Sequence, residues 1–177
     1  DFDTLTKKWK PADDVPGSIN TEAHDAVTGM SADGKMIFIY KNDLKDPQSR
    51  GGDIYVSKII TGKWRTPENM AKPINTSYWE GGACISPNGK TLFFSSNGQN
   101  DGMGGYDIFY TELKDDGSWT QPQNMGFPIN TTRDDINYYI TGGGTRYYAT
   151  VRDHANSYDI FKIEGGGFDI ENIDAGG

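Results

Sequence analysis

Ser86-Pro87-Asn88-Gly89-Lys90-Thr91-Leu92-Phe93-Phe94-Ser95-Ser96-Asn97, followed closely by Gly104-Gly105-Tyr106-Asp107-Ile108-Phe109-Tyr110, decides the fold. Asn88-Gly89 is a strong hairpin signal, because a two-residue hairpin loop wants φ > 0 at both positions. Residues 81–85 before it and 91–95 after it read as two antiparallel strands. Residues 107–113 read as a third. Asp116-Gly117-Ser118 then turns the chain into a short fourth strand around Trp119.

The same unit recurs on both sides. Trp9, Trp64 and Trp119 are spaced by 55 residues, and ten residues after each comes Ile19-Asn20-Thr21, Ile74-Asn75-Thr76 or Ile129-Asn130-Thr131. Six residues beyond each Ile stands a carboxylate: Asp25, Glu80, Asp135. Each unit then carries a turn (Ser31 to Lys35, Ser86 to Lys90, and Thr141-Gly142-Gly143-Gly144-Thr145) and an Asp-Ile-aromatic strand start at Asp53, Asp107 or Asp159. Residues 26–30, 81–85 and 136–140 are first strands; 36–40, 91–95 and 146–150 second strands; 53–58, 107–113 and 159–163 third strands. The fourth surrounds Trp64 and Trp119, with Phe168 in the matching place of the last unit. The predicted fold is therefore all-β: consecutive four-stranded antiparallel blades of a β-propeller, with no helix because no segment sustains a 3.6-residue period.

The blades span 10–66, 67–121 and 122–177, with residues 1–9 as the outer strand of a preceding blade. The period exceeds the ~40–45 residues usual for such repeats. The excess falls in the lead-in segments, such as Arg65 to Tyr78, and in the loops before the third strands, such as Asn97 to Gly105. Three blades do not close a ring, since propellers use about four to eight. The chain is thus expected to be an arc, either part of a longer protein or completed by another chain; two arcs in a homodimer would give six blades.

Composition narrows the function. The formal net charge is −8 and Lys and Arg form no cluster, which argues against nucleic acid and anionic membranes as partners. No run approaches the length of a membrane-spanning helix. Cys84, the one cysteine, forms no internal disulfide and reads as a small buried hydrophobe. The start, Asp1-Phe2-Asp3, shows no signal peptide and reads as a mature or excised chain.

Residues 86–97 and 104–110 resemble the TolB-type, WD-like propeller repeat. The likeness runs from residue 9 to about 168 and weakens at Gly142-Gly143-Gly144. The Pro-x-Asn-Met-x-x-Pro-Ile-Asn-Thr segments at 67–76 and 122–131, with Met103-Gly104-Gly105-Tyr106-Asp107, are similar to the propellers of PorE-like, OmpA-family envelope proteins of Bacteroidota, some of them associated with type IX secretion. That resemblance implies the periplasm or an outer-membrane-associated site, and the function expected is that of a non-catalytic module binding an envelope protein. Peptidoglycan binding belongs to a flanking domain of those proteins and is not carried onto any residue here.

Catalytic motifs are missing: there is no Gly-x-Ser-x-Gly and no His-Glu-x-x-His, and His24 and His154 read as exposed loop residues. No cofactor is expected. Asp53, Asp107 and Asp159, like Trp9, Trp64 and Trp119, recur in step with the repeat and are expected to hold the blades together. Asn97, Asn100 and Asp101 offer oxygen ligands for Ca²⁺ on a Gly-rich loop but lack an EF-hand's spacing. Asp25, Glu80 and Asp135 precede the innermost strands, so repetition places them near one mouth of the channel. There they either bond to the neighbouring Asn-Thr turn or form an acidic mouth for a cation or a basic partner segment. Carbohydrate or peptidoglycan recognition by the exposed aromatics and Asn-rich loops is the alternative reading, and a propeller accompanying a hydrolase the third.

Overall fold

The structure, a computed structural model, describes residues 2–12, 15, 19–20, 24–42, 51–152 and 157–163; Phe168 and His154 lie outside them. Strands β1 (Phe2–Asp3) and β2 (Lys8–Trp9) form a hairpin of their own. The first blade contains β3 (His24–Met30), β4 (Met36–Asn42) and β5 (Asp53–Ile60), with β6 (Lys63–Trp64) and β7 (Glu68–Asn69) both pairing with β5. The second contains β8 (Glu80–Ile85), β9 (Thr91–Ser96), β10 (Asp107–Glu112) and β11 (Gln123–Asn124) in spatial order. The third contains β12 (Asp135–Ile140), β13 (Arg146–Thr150) and β14 (Asp159–Ile163). All pairings are antiparallel, and the described residues hold no helix.

Alternation along each second strand sorts its side chains between neighbouring blades. Leu92 and Phe94 face the first blade, where they join Phe38, Ile54, Ile74 and Phe109 in one core. Phe93 faces the third blade and packs with Ile108, Ile129, Tyr138 and Tyr148. With both faces covered, every residue of β9 is buried. Each aromatic or Leu so enclosed contributes about 1.5–3 kcal/mol. Between the innermost strands the backbones nearly touch: a Cβ at Gly29 would lie 2.4 Å from the carbonyl oxygen of Ala83.

Four details differ from the sequence reading. The hairpin turns are not two-residue loops with two positive φ values. Only Gly34 (φ 68°) and Gly89 (φ 72°) are left-handed; Asp33 and Asn88 instead accept bonds from the backbone N–H of Lys35 (3.0 Å) and Lys90 (3.0 Å), which stabilises a longer turn. The third hairpin is one residue shorter: Ser86 N–H bonds to Thr91 O, but Thr141 N–H bonds to Thr145 O. The outer strand comes in two pieces, so the stretch expected to be an open lead-in contains β7 and β11, and strand pairing of the first two blades runs past residues 66 and 121. Residues 2–9 form two strands rather than one, because the Asp3 carboxylate accepts from the N–H groups of Leu5 (2.9 Å) and Thr6 (3.2 Å) and folds the chain back.

Candidate functional site

The repeated polar residues gather at the joints between blades. At the joint of the first and second blades, the Asn75 side chain pairs with the backbone of Ile54 like a short extra strand. Its Oδ1 accepts from Ile54 N–H (3.0 Å), and its Nδ2 donates to Ile54 O (2.8 Å) and to Asn69 Oδ1 (2.8 Å). Asn130 repeats the pattern at the next joint, with Ile108 N–H (2.8 Å), Ile108 O (2.7 Å) and Asn124 Oδ1 (2.8 Å). The residue after each Asn grips the following blade. Thr76 donates its N–H (2.7 Å) and hydroxyl (2.7 Å) to Glu80, and Thr131 donates its N–H (2.6 Å) and hydroxyl (2.9 Å) to Asp135. Ile-Asn-Thr is therefore a staple: Asn holds the blade behind and Thr the blade ahead.

A third contact completes each joint with a different residue type every time. Lys41 Nζ donates to Ile19 O (3.2 Å), Gln99 Nε2 to Ile74 O (3.0 Å), and Arg152 Nη2 to Ile129 O (2.8 Å). The two cations also pair with the unit's carboxylate, Lys41 with Asp25 at 3.6 Å and Arg152 with Asp135 at 3.6 Å. Arg152 lies over the rings of Tyr148 and Phe161, at 5.4 and 5.1 Å. The sequence reading missed this contact, because Lys, Gln and Arg share neither spacing nor chemistry beyond an N–H donor.

Asp25, Glu80 and Asp135 thus do not present an acidic channel mouth. Glu80 and Asp135 are fully buried and hold the Asn-Thr turn, and Asp25 is paired with Lys41. Burial raises the pKa of Glu80, partly offset by the N–H and hydroxyls it accepts from; the charge that raises it further is Asp53 across the joint, not another first-strand carboxylate. Asp107, whose pKa burial also raises, accepts from the N–H groups of Met103 and Gly104 (3.1 Å) and thereby organises the Gly-rich loop, as expected of it. Asp53 accepts from Asn69 Nδ2 (2.9 Å), and Asp159 is half-buried. Trp64 and Trp119 pack on blade cores, whereas Trp9 is 77% exposed and meets Phe2 edge-on.

Of the Ca²⁺ candidates, Asn97 Oδ1 accepts from Trp79 N–H (3.0 Å), and Asn100 and Asp101 are exposed. Among the described residues no three His, Cys, Asp or Glu side chains gather to hold a metal. Cys84 is buried and its thiol pKa raised by that burial. His24 is exposed. What the joints leave open is a cleft of about 740 Å³ beside the first one, with Lys72, Tyr78, Asn100 and Gln121 on its exposed rim and Asn75 and Gln99 beneath. Its size suits a small polar ligand or a peptide segment. Nearby, Trp79 packs between Tyr40 (6.0 Å) and Tyr106 (5.0 Å).

Fold and joints define the class: an array of propeller blades stapled by side-chain amides. Among solved structures the chain is similar to a protein from Agrobacterium tumefaciens assigned as TolB, with 20% identity, 77% of this chain and 41% of that one covered, and a TM-score of 0.47. It is also similar to the NanB sialidase from Streptococcus pneumoniae, with 14% identity, 74% and 20% covered, and a TM-score of 0.42. The chain therefore spans less than half the length of either. No family model and no curated protein matches it.

Proposed function

We propose that this chain is a non-catalytic binding and scaffolding module of a bacterial cell-envelope assembly, periplasmic or outer-membrane associated, whose partner is an envelope protein. One observation carries the reading: the recurring polar residues are engaged in joining blades, while a polar cleft rimmed by Tyr78, Asn100 and Gln121 stays open. A rigid frame with a loop-lined cleft suits recognition of a partner segment. The similarity of residues 67–76 and 122–131 to OmpA-family propellers of Bacteroidota, including those of type IX secretion, supports the location.

The test is affinity capture from solubilised envelope fractions of a Bacteroidota species, comparing the native chain with Tyr78→Ala/Asn100→Ala. A discrete envelope protein retained by the first and lost by the second is expected. Equal retention by both would remove the cleft from the proposal. The Asn- and Tyr-rich rim also favours a second reading, carbohydrate recognition. Saturable NMR shifts at Tyr78 and Asn100 on adding soluble muropeptides, without protein capture, would replace the first reading with it.

A further inference from the structure

The polar cleft lies where β5 begins, and an apolar groove of about 460 Å³ lies where β5 ends. The groove runs between the hairpin turns of the first two blades, 31–35 and 86–90. Met36, Ile60, Ile85 and Pro87 supply its apolar lining, and Ile60 is 46% exposed. Lys35 and Lys58 line it too, and both are exposed. Among the described residues of the lining, Asp33 is the one acid; its carboxylate accepts from the Ser31 hydroxyl (2.6 Å) and the Lys35 N–H (3.0 Å). In a chain of net charge −8, this is a place where cations outnumber acids. The blade does not require that choice of residues. Ile59 N–H bonds to Lys35 O (2.8 Å) and Leu113 N–H to Lys90 O (2.8 Å), so the two units are in register here. In that register Glu112 stands where Lys58 stands, and Lys114 where Ile60 stands. The same strand pairing thus accepts an acid for the cation and a cation for the isoleucine.

We propose that this groove docks an acidic, apolar segment of a partner protein. A Leu, Ile, Met or Phe side chain of the segment enters between the two turns and packs on Met36, Ile60 and Ile85. An Asp or Glu beside it pairs with Lys58 and Lys35. Charge complementarity selects the occupant: an apolar side chain alone would gain nothing from two lysines, and a basic segment would be repelled by them. An anionic membrane is a poorer match, because it would meet the field of a chain whose net charge is −8 before it met two lysines. The volume suits one or two side chains of a short segment. Groove and cleft are separated by the length of β5, roughly 20 Å at the usual rise of a strand. The two sites are therefore independent, and the groove keeps its partner whether or not the cleft has one.

The probe is an array of short peptides that sets Asp or Glu beside Leu, Ile, Met or Phe in every order, with matched arrays carrying Lys for the acid or Ser for the apolar residue. The full chain is expected to bind members of the first array and of neither control. Titrated into isotope-labelled chain and followed by NMR, the strongest peptide should shift the amides of Lys35, Lys58, Ile60 and Ser86 saturably and leave Tyr78 and Asn100 in place. Lys58→Glu and Ile60→Ser should fold normally, since the second unit carries Glu112 and the polar Lys114 at those positions. Each should weaken the peptide about tenfold with an unchanged thermal melt. Added salt should weaken it as well, whereas Tyr78→Ala should not. No saturable binding up to roughly 1 mM overturns the proposal. So does equal binding of the Lys-bearing peptides, undiminished binding by Lys58→Glu, or shifts confined to the cleft. Anionic vesicles that shift the groove amides while the peptides do not would replace the protein segment with a lipid surface. Self-association of the native chain that Lys58→Glu abolishes would replace it with a second copy.

Discussion

Asn130→Ala removes one staple cleanly. The side chain is fully buried and makes three hydrogen bonds: two with Ile108 and one with Asn124. A net contribution near 1 kcal/mol each gives about 3 kcal/mol. Ile108 O keeps the N–H of Met125 (3.1 Å), so only the Ile108 N–H is left bare, adding about 1–3 kcal/mol for an unsatisfied buried donor. The expected loss is about 4–6 kcal/mol, a large part of the ~5–15 kcal/mol of an ordinary domain. Followed by circular dichroism in urea, the midpoint should fall by roughly 1.5–3 M for a slope of about 2–3 kcal/mol per M at this size. Asn100→Ala, an exposed Asn on a loop, should stay within about 0.5 kcal/mol. If Asn130→Ala proved as mild as Asn100→Ala, the side-chain amide would not be what holds the blades together.

Glu80→Gln keeps an acceptor for Thr76 N–H and should cost far less than Glu80→Ala, for which about 2–4 kcal/mol is expected. Because the folded pKa of Glu80 is raised above its unfolded value, the folded state holds its proton longer. The native chain should therefore lose stability relative to Glu80→Gln as pH rises through that window, and regain it on acidification toward the ordinary glutamate value of 4.5; a flat difference between pH 4 and 8 would contradict the burial. Gly104→Ala should be severely destabilising in thermal melts, since its Cβ would lie 2.0 Å from Arg133 O, whereas Gly142→Ala meets nothing within 4 Å and should be neutral or stabilising. Ala71 sits at φ 51° where the next unit has Gly126 at φ 65°, so Ala71→Gly should raise stability by up to about 1 kcal/mol. Cys84 should react with a thiol reagent only as fast as the chain unfolds.

The blades were legible because both signals that mark them are read along the chain without knowing its contacts. Alternation and turn residues set the strands, and the 55-residue spacing set the unit. The expectation that the recurring carboxylates bond to the Asn-Thr turn was also within reach, since Thr76 and Glu80, or Thr131 and Asp135, lie only four residues apart. The partner of the Asn was not: Asn75 and Ile54 are 21 residues apart, and nothing in either residue names the other before the sheet brings them together. The acidic mouth failed for a related reason. Repetition fixed the level of Glu80 and Asp135 along the first strands but not the direction of their side chains, and the Thr donors turn them inward. Lys41, Gln99 and Arg152 escaped notice because the repeat preserves their position in the joint while varying the residue.

Residue-resolved amide hydrogen exchange tests the staple most directly. In the native chain the Ile54 and Ile108 amides, each held by an Asn side chain, should be protected almost as strongly as the central strand. In Asn130→Ala, the Ile108 amide should exchange much faster relative to the rest of its sheet while Ile54 keeps its protection. Unchanged relative protection of Ile108 in that variant would contradict the staple, and with it the account of how these blades are joined.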